Sequence, residues 1–297
     1  MSKFRTREDL FLDTLIYLFL IFLTFITIYP FLNVLAISLN DAIDSNRGLL
    51  GIWPRKFTLY NFQNILSDHQ IYHATMISIL RTVIGTVLGL TASTVFAYVL
   101  SRKDFFLRKF LTAFVLITMY LNAGILPIFF LYRELNLINN FLVYVIPGMV
   151  TAFNVIVIKK FIEQLPDSLV ESARIDGAGE LRILVRIIVP LSLPILATIA
   201  LFIAVYQWNA WFDTFLYASS RESLSTLQYE LMKTLQSAMR NMGSSSVDYV
   251  QSATSQMTTP QSVRAAMTII ATAPILVVYP FLQKYFVKGL TLGGVKE

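Results

Sequence analysis

Cysteine is absent from the 297 residues, which excludes disulfide scaffolds, thiol nucleophiles and cysteine-ligated metals. Charge is nearly as scarce: 14% of residues carry one, against roughly 25% in ordinary soluble domains. No G-x-x-x-x-G-K-[ST] run occurs, so the chain has no P-loop for nucleotide phosphates. No repeat of 20–50 residues is visible, and no low-complexity tract exceeds Gly243–Ser246. What remains is apolar: 56% of residues are hydrophobic and the mean hydropathy is +0.63. A soluble fold of that composition would expose a very large apolar surface. The solvent it is built for is lipid.

A bilayer core about 30 Å thick takes about 20 helical residues to cross. Six windows free of Asp, Glu, Lys and Arg reach that scale: Thr14–Asn40, Thr82–Ser101, Phe110–Tyr132, Leu135–Ile158, Ile187–Phe212 and Ala265–Gln283. The expectation is an all-α, polytopic membrane protein with six transmembrane helices, spanning about 14–40, 76–101, 110–132, 138–160, 187–212 and 265–285. Lys3, Arg5 and Arg7 ahead of the first window resemble a signal peptide. Its apolar stretch is about twice the usual length for one, and no small-x-small cleavage site follows. It reads as a retained anchor.

The amino terminus (1–13), the 102–109 and 159–186 loops and the carboxyl tail together hold fifteen basic residues, against eight in the alternate segments. The positive-inside rule then puts both termini in the cytoplasm. Residues 41–70 form an outer loop with turn signals at Asn46–Gly48 and Trp53–Pro54, and 213–264 form a longer outer loop. Within the latter, Leu224–Met239 has the apolar spacing of an amphipathic helix. His69 and His73, four residues apart beside Asp68, read as solvated surface. The windows hold no carboxylate for ion coupling, no Ser-His-Asp set and no paired aspartates. The sequence offers nothing for an enzyme to work with.

The loop between windows four and five is the informative one. Pro166-Asp167-Ser168 reads as a helix start, and Ser168-x-x-Glu171 has capping-box spacing. Gly177 stops the helix after about two turns, because glycine takes the left-handed conformation cheaply. Leu169 and Ala173 fall four residues apart on one side, so that a short helix with a small residue on its face can sit deep in a partner's groove.

Glu171-Ser172-Ala173, then three residues, Gly177, nine residues and Ile187-x-Val189-Pro190 resemble the EAA loop of bacterial ABC-importer membrane subunits. Ala173-Arg-Ile-Asp-Gly-Ala178, the Pro190/Pro194 pair, Trp208-Asn209 and the tail Gly289–Lys296 resemble the carbohydrate branch, in particular the second maltose permease subunit. The resemblance implies the ABC type I importer transmembrane fold over 14–287, a cytoplasmic coupling loop at 164–190 and a cytoplasmic tail at 288–297 in a multi-pass protein of the bacterial cytoplasmic membrane. It implies as partners a second homologous permease subunit, two copies of an ABC ATPase, an extracytoplasmic solute-binding protein and an oligosaccharide, with no nucleic acid. ATP and Mg belong to the ATPases; this chain itself would bind no cofactor. Glu171, Ser172, Ala173, Asp176, Gly177 and Ala178 are then the ATPase-coupling residues, and Gly293 and Gly294 in the tail reach the same interface. The segment between windows five and six is longer than in the maltose-type subunit around Gln236–Pro260. That resembles a subgroup associated with larger or acidic, plant- and algal-derived oligosaccharides; a docking loop with no sugar contact is the other reading. An ABC permease for peptides, amino acids or another solute, and a self-sufficient secondary carrier, are the rival functions.

Polar residues within apolar spans are the pathway candidates: Arg81, Asn122, Asn154, Gln207, Trp208 and Asn209. Interhelical hydrogen bonding explains the amides equally well. Arg81 has two readings: a guanidinium snorkelling to the outer headgroups, or one at the pathway mouth that meets a uronate carboxylate. Tyr206, Trp208 and Trp211 form an aromatic group suited to the membrane interface or to stacking on a sugar. Gly85 and Gly89 form a G-x-x-x-G for close helix packing.

Overall fold

The computed structural model describes residues 7–48, 50–121, 123–243 and 259–291. Among them there are helices and turns but no strand; one isolated bridge pairs Asn40 with Phe57. The helices are α1 (Arg7–Ser38), α2 (Ala42–Ser45), α3 (Tyr60–Leu66), α4 (His69–Ser101), α5 (Arg108–Thr118), α6 (Ile125–Glu134), α7 (Ala152–Ile162), α8 (Asp167–Ile175), α9 (Glu180–Ile183), α10 (Val189–Leu191), α11 (Leu193–Asn209), α12 (Leu227–Gly243) and α13 (Pro260–Thr291). Short 3-10 turns at Phe141–Tyr144 and Glu222–Leu224 and π-turns at Leu184–Ile188 and Thr214–Ala218 join them.

Among the described residues three helices are individually long and apolar enough to cross a membrane: Leu10–Ser38, His69–Ser101 and Pro260–Val278. A fourth crossing arises if Glu180–Leu191 and Leu193–Asn209, bent by 84°, form one span. Windows three and four are not the continuous helices expected of them. Window three divides into α5 and α6, with Gly124 at φ 84° between them. Window four holds a single 3-10 turn and then α7, separated by a stretch containing Pro147 and Gly148. Proline removes a donor and glycine weakens the helix. The count of six therefore rests on composition rather than on six unbroken helices.

The chain forms two compact units. The first comprises Met1–His69 and Lys233–Thr272. In α1 none of the most apolar window is buried, the expected state of a helix whose solvent is lipid. Thr14, Thr24 and Thr27 turn their hydroxyls back onto carbonyls four residues earlier at 2.7–2.8 Å, which satisfies them without water. Asn33 holds the 41–70 segment down through the Leu50 and Gly51 carbonyls at 2.6 and 3.0 Å. In that loop Asp44 accepts from Asn40 and Arg55, both at 3.0 Å, and these contacts keep its carboxyl below the usual range.

The second unit comprises Gln70–Met232 and Ala273–Glu297. Its larger core gathers Ala97, Tyr98 and Leu100 of α4, Val155, Ile158 and Ile162 of α7, Val170 and Ala173 of α8, and Ile183, Leu184, Ile188, Leu196 and Ile199 beyond. The short helix α8 thus packs against the C-terminal end of α4. The helical spacing at Leu224–Met239 appears as α12, three residues later in its start.

Candidate functional site

The 164–190 loop is held by backbone and ion-pair contacts. Pro166, not Ser168, occupies the N-cap of α8, and no side chain caps it. The expected capping box does not form, because Asp167 and Ser168 already lie inside the helix and proline's fixed φ sets its start. The stop at Gly177 is as expected. Gly177 takes φ 76°, its amide donates to the Arg174 carbonyl at 3.0 Å and the Ala178 amide donates to the Ala173 carbonyl at 2.9 Å. These are the paired bonds of a Schellman ending.

Ala173 does not project outward as the sequence suggested. It is buried with Val170 against the chain's own core, while Leu169 is partly exposed. A small residue there lets α8 lie close on its neighbours. The outward surface consists of Glu171, Ser172, Ile175 and Asp176, with Ala178 half-buried at the turn. Ile175 is 86% exposed and Leu181 74%, two apolar side chains left open on a loop rich in charge.

Ion pairs tie this loop to the 102–109 segment. Lys103 meets Asp167 at 2.5 Å, Arg174 meets Asp104 at 2.9 Å and Glu180 at 2.6 Å, and Arg108 meets Glu163 at 2.5 Å. Hydrogen bonds from Lys103 hold the Asp167 carboxyl below its ordinary value, and those from Arg174 do the same for Asp104. The Tyr98 hydroxyl and then Arg174 lower Glu180. Burial pushes Glu163 up, but bonds from Lys159, Lys160 and Arg108 outweigh it and leave it low.

Past α9, Pro190 cannot donate to the carbonyl four residues back, and Pro194 repeats the defect one turn on. The backbone answers with π-turns over Leu184–Ile188, a break at Ser192 and the 84° bend into α11.

At the other end of α11 lies a buried polar node. Arg81 is 1% exposed. Its Nε and Nη2 donate to Gln207 Oε1 at 3.1 and 3.0 Å, Nη1 donates to the Ala210 carbonyl at 2.9 Å, and Nη2 meets Asp213 at 2.6 Å. Its guanidinium carbon sits 4.4 Å from the centre of the Tyr144 ring. Gln207 Nε2 donates to the Tyr144 carbonyl at 3.1 Å. A Cβ on Gly85 would come 2.6 Å from that Nε2, so only glycine leaves room for the amide. Neither sequence reading of Arg81 describes this: the guanidinium neither snorkels nor stands open, because every one of its nitrogens is engaged within the protein.

Of the pathway candidates, then, the structure brings together Arg81 and Gln207. Asn154 and Trp208 are buried elsewhere in α7 and α11. Asn209 is exposed and bonds the Val205 carbonyl and Gln228. Asn122, Gly293 and Gly294 lie outside the described residues. Asp213, Tyr144 and Ala210 were missed. Asp213 is the first charge after an apolar window, which was the one available signal. His69 and His73 open α4, and among the described residues no group of His, Asp or Glu is arranged to hold a metal.

Residues 85–292 match the family described as binding-protein-dependent transport system inner membrane component. The chain is 36% identical over 289 residues to the polygalacturonan/rhamnogalacturonan transport system permease protein YtcP of Bacillus subtilis (strain 168), covering 96% of this chain and 98% of that protein. It is 34% identical over 273 residues to Protein LplC of the same organism, covering 91% and 90%. Among solved structures, a bacterial ABC transporter involved in the import of the acidic polysaccharide alginate superposes with a TM-score of 0.86 at 27% identity, over 96% of this chain and 100% of that one. With most of its length matched by the family and by these relatives, and with an all-helical membrane architecture, the chain belongs to the inner membrane components of binding-protein-dependent transport systems.

Proposed function

We propose that this chain is the permease subunit of an ATP-driven, binding-protein-dependent importer of oligosaccharides, with uronate-containing ones as its preferred class. The observation that carries the reading is the agreement of two independent likenesses on acidic polysaccharides: the relative named for polygalacturonan and rhamnogalacturonan, and the structure of the alginate importer. Two ATPase subunits bind ATP and Mg on the cytoplasmic side, and a second, homologous permease completes the pathway. The binding protein delivers sugar to the outer loops, and both termini face the cytoplasm. Coupling runs through Glu171, Ser172, Asp176 and Gly177 on the outward side of α8, with Ala173 and Ala178 seating the helix and Gly293 and Gly294 adding contact from the tail. The exposed Ile175 and Leu181 supply apolar surface for an ATPase groove.

Arg81 and Asp213 offset one another's charge, so acidic sugar is recognised at this subunit by groups other than a bare Arg81. The test is reconstitution of the chain with its second permease, ATPases and binding protein in proteoliposomes. ATP-dependent uptake of oligogalacturonides above that of neutral oligosaccharides is expected. Uptake driven by an ion gradient without ATPase and binding protein overturns the proposal in favour of a secondary carrier, and uptake of peptides or amino acids alone replaces the substrate class.

A further inference from the structure

Five groups from separate stretches close a ring at the inner end of α4. The Tyr98 hydroxyl, in the last turn of α4, donates to Glu180 Oε2 at 2.5 Å. The other oxygen of Glu180 accepts from Arg174 Nη2 at 2.6 Å and Nε at 3.1 Å. Arg174 Nη2 also donates to Asp104 at 2.9 Å. Asp104 lies 3.9 Å from Arg102 Nε, and the Arg102 guanidinium stands 5.5 Å from the centre of the Tyr98 ring, which closes the circuit.

The members differ in setting. Tyr98 is buried within the core and cannot shift without moving α4, whereas Arg174 sits in the last turn of α8 and moves with it. Glu180 is the one carboxylate that accepts from both. A bidentate-capable acceptor shared between a phenol and a guanidinium holds direction as well as distance, and its α-carbon opens α9, the first turn of the bent segment leading to α11. Displacement of α8 therefore reaches α4 through Tyr98 and the bent segment through the backbone of Glu180.

We infer that Glu180 and Tyr98 are positioning residues of the coupling apparatus, a joint through which movement of α8 is passed to α4. The inference rests on the coupling reading of the 164–190 loop and extends it to residues that the loop motif does not include. It distinguishes a transmitting contact from one that only helps the loop fold.

The experiment uses the whole importer reconstituted in proteoliposomes, with sugar imported and ATP hydrolysed measured together. Tyr98→Phe deletes a single hydroxyl and leaves the outward surface of α8 untouched. It is expected to assemble with the ATPases and to hydrolyse ATP, but to import about tenfold less sugar per ATP or worse, the scale on which one charge-assisted hydrogen bond biases a two-state element. Glu180→Gln keeps one oxygen for Tyr98 but replaces the oxygen facing Arg174 with an amide donor, so a drop at least as large in the same ratio is expected. A normal sugar-to-ATP ratio in both variants overturns the inference. Failure of both to assemble overturns it too, because the contact is then one of folding. If only Tyr98→Phe fails to assemble, the ratio in Glu180→Gln decides. Gly177→Val separates this from the coupling reading: an impaired ratio there with a normal one in Tyr98→Phe removes only the joint, whereas normal ratios in both remove the coupling loop itself.

Discussion

Arg81 and Asp213, separated by 132 positions in the chain, meet at 2.6 Å with the arginine 1% and the aspartate 23% exposed at the side chain. The pair joins α4 to the segment that follows α11, and it was invisible to a reading of each residue alone. Breaking a buried pair by removing one partner costs about 3–5 kcal/mol, whereas replacing both by apolar groups is often neutral. Partial exposure of Asp213 lowers the expected cost of Asp213→Leu to about 1–3 kcal/mol. The losses from Arg81→Met and Asp213→Leu taken singly should sum to more than the loss in the double variant, because either change alone already breaks the pair. Thermal unfolding of the detergent-solubilised importer measures all three; simple additivity contradicts the pairing.

The same geometry predicts how Arg81 treats substrates. Its nitrogens are committed to Gln207, Ala210 and Asp213, so Arg81→Gln should lower uptake of acidic and neutral oligosaccharides by the same factor. A loss confined to the uronate sugar would return Arg81 to the pathway as a direct ligand.

Gly85 and Gly89 make a paired comparison within one helix. A Cβ on Gly85 meets Gln207 Nε2 at 2.6 Å, while one on Gly89 finds Ile203 at 3.5 Å. Gln207 is pinned by Arg81 and the Tyr144 carbonyl and has little freedom to yield. Gly85→Ala should therefore destabilise by about 1–3 kcal/mol, the usual cost of overpacking, and Gly89→Ala should be tolerated. Equal melting temperatures for the two would mean that the node is looser than described.

At Gly177 the obstacle is backbone conformation rather than space: φ is 76° and nothing lies within 4 Å of a built Cβ. A left-handed residue other than glycine costs roughly 1–2 kcal/mol, least for asparagine. Uptake should fall in the order Asn, Ala, Val, with membrane insertion unchanged. Wild-type uptake and ATP turnover in Gly177→Val would contradict the role given to this turn.

The carboxyls of Asp104, Glu163, Asp167 and Glu180 are all held below their ordinary values by basic or hydroxyl neighbours. A carboxyl lowered on folding adds stability that is fully present above its unfolded value, near pH 4, and is lost as pH falls through the lower folded value. The melting temperature contributed by this loop should be level between about pH 6 and 8 and should fall below about pH 4. Glu180→Gln should shrink that fall; an unchanged acid profile would show that these pairs add nothing.

Much of the 164–190 loop was legible because its signals are local. Gly177 ends α8 by backbone chemistry that one residue carries, and Pro190 and Pro194 announce irregular helix wherever they stand. The side of α8 that Ala173 occupies was not legible: over two turns, helical spacing groups residues on a face without saying whether that face meets its own core or a partner. Arg81 was misplaced for a different reason. Any arginine bounds a charge-free window, so the window begins at Thr82 and the span expected from it at about 76, although α4 begins at His69. Twelve residues at 1.5 Å each place Arg81 about 18 Å along that helix. Its hydrogen-bond partners lie more than a hundred residues away, and pairing at such range leaves no periodic trace.

The corner at Ser192 makes the fifth apolar window a bell crank rather than a rod. Its inner arm, Glu180–Leu191, and its outer arm, Leu193–Asn209, stand 84° apart, so a push along one is delivered nearly crosswise by the other. The outer arm of 17 residues is about 25 Å long. A swing of about 5° about the corner carries its far end by about 2 Å, measured from that length. That far end is where Gln207 grips Arg81, so the lever's reach terminates on a buried arginine with all its nitrogens engaged.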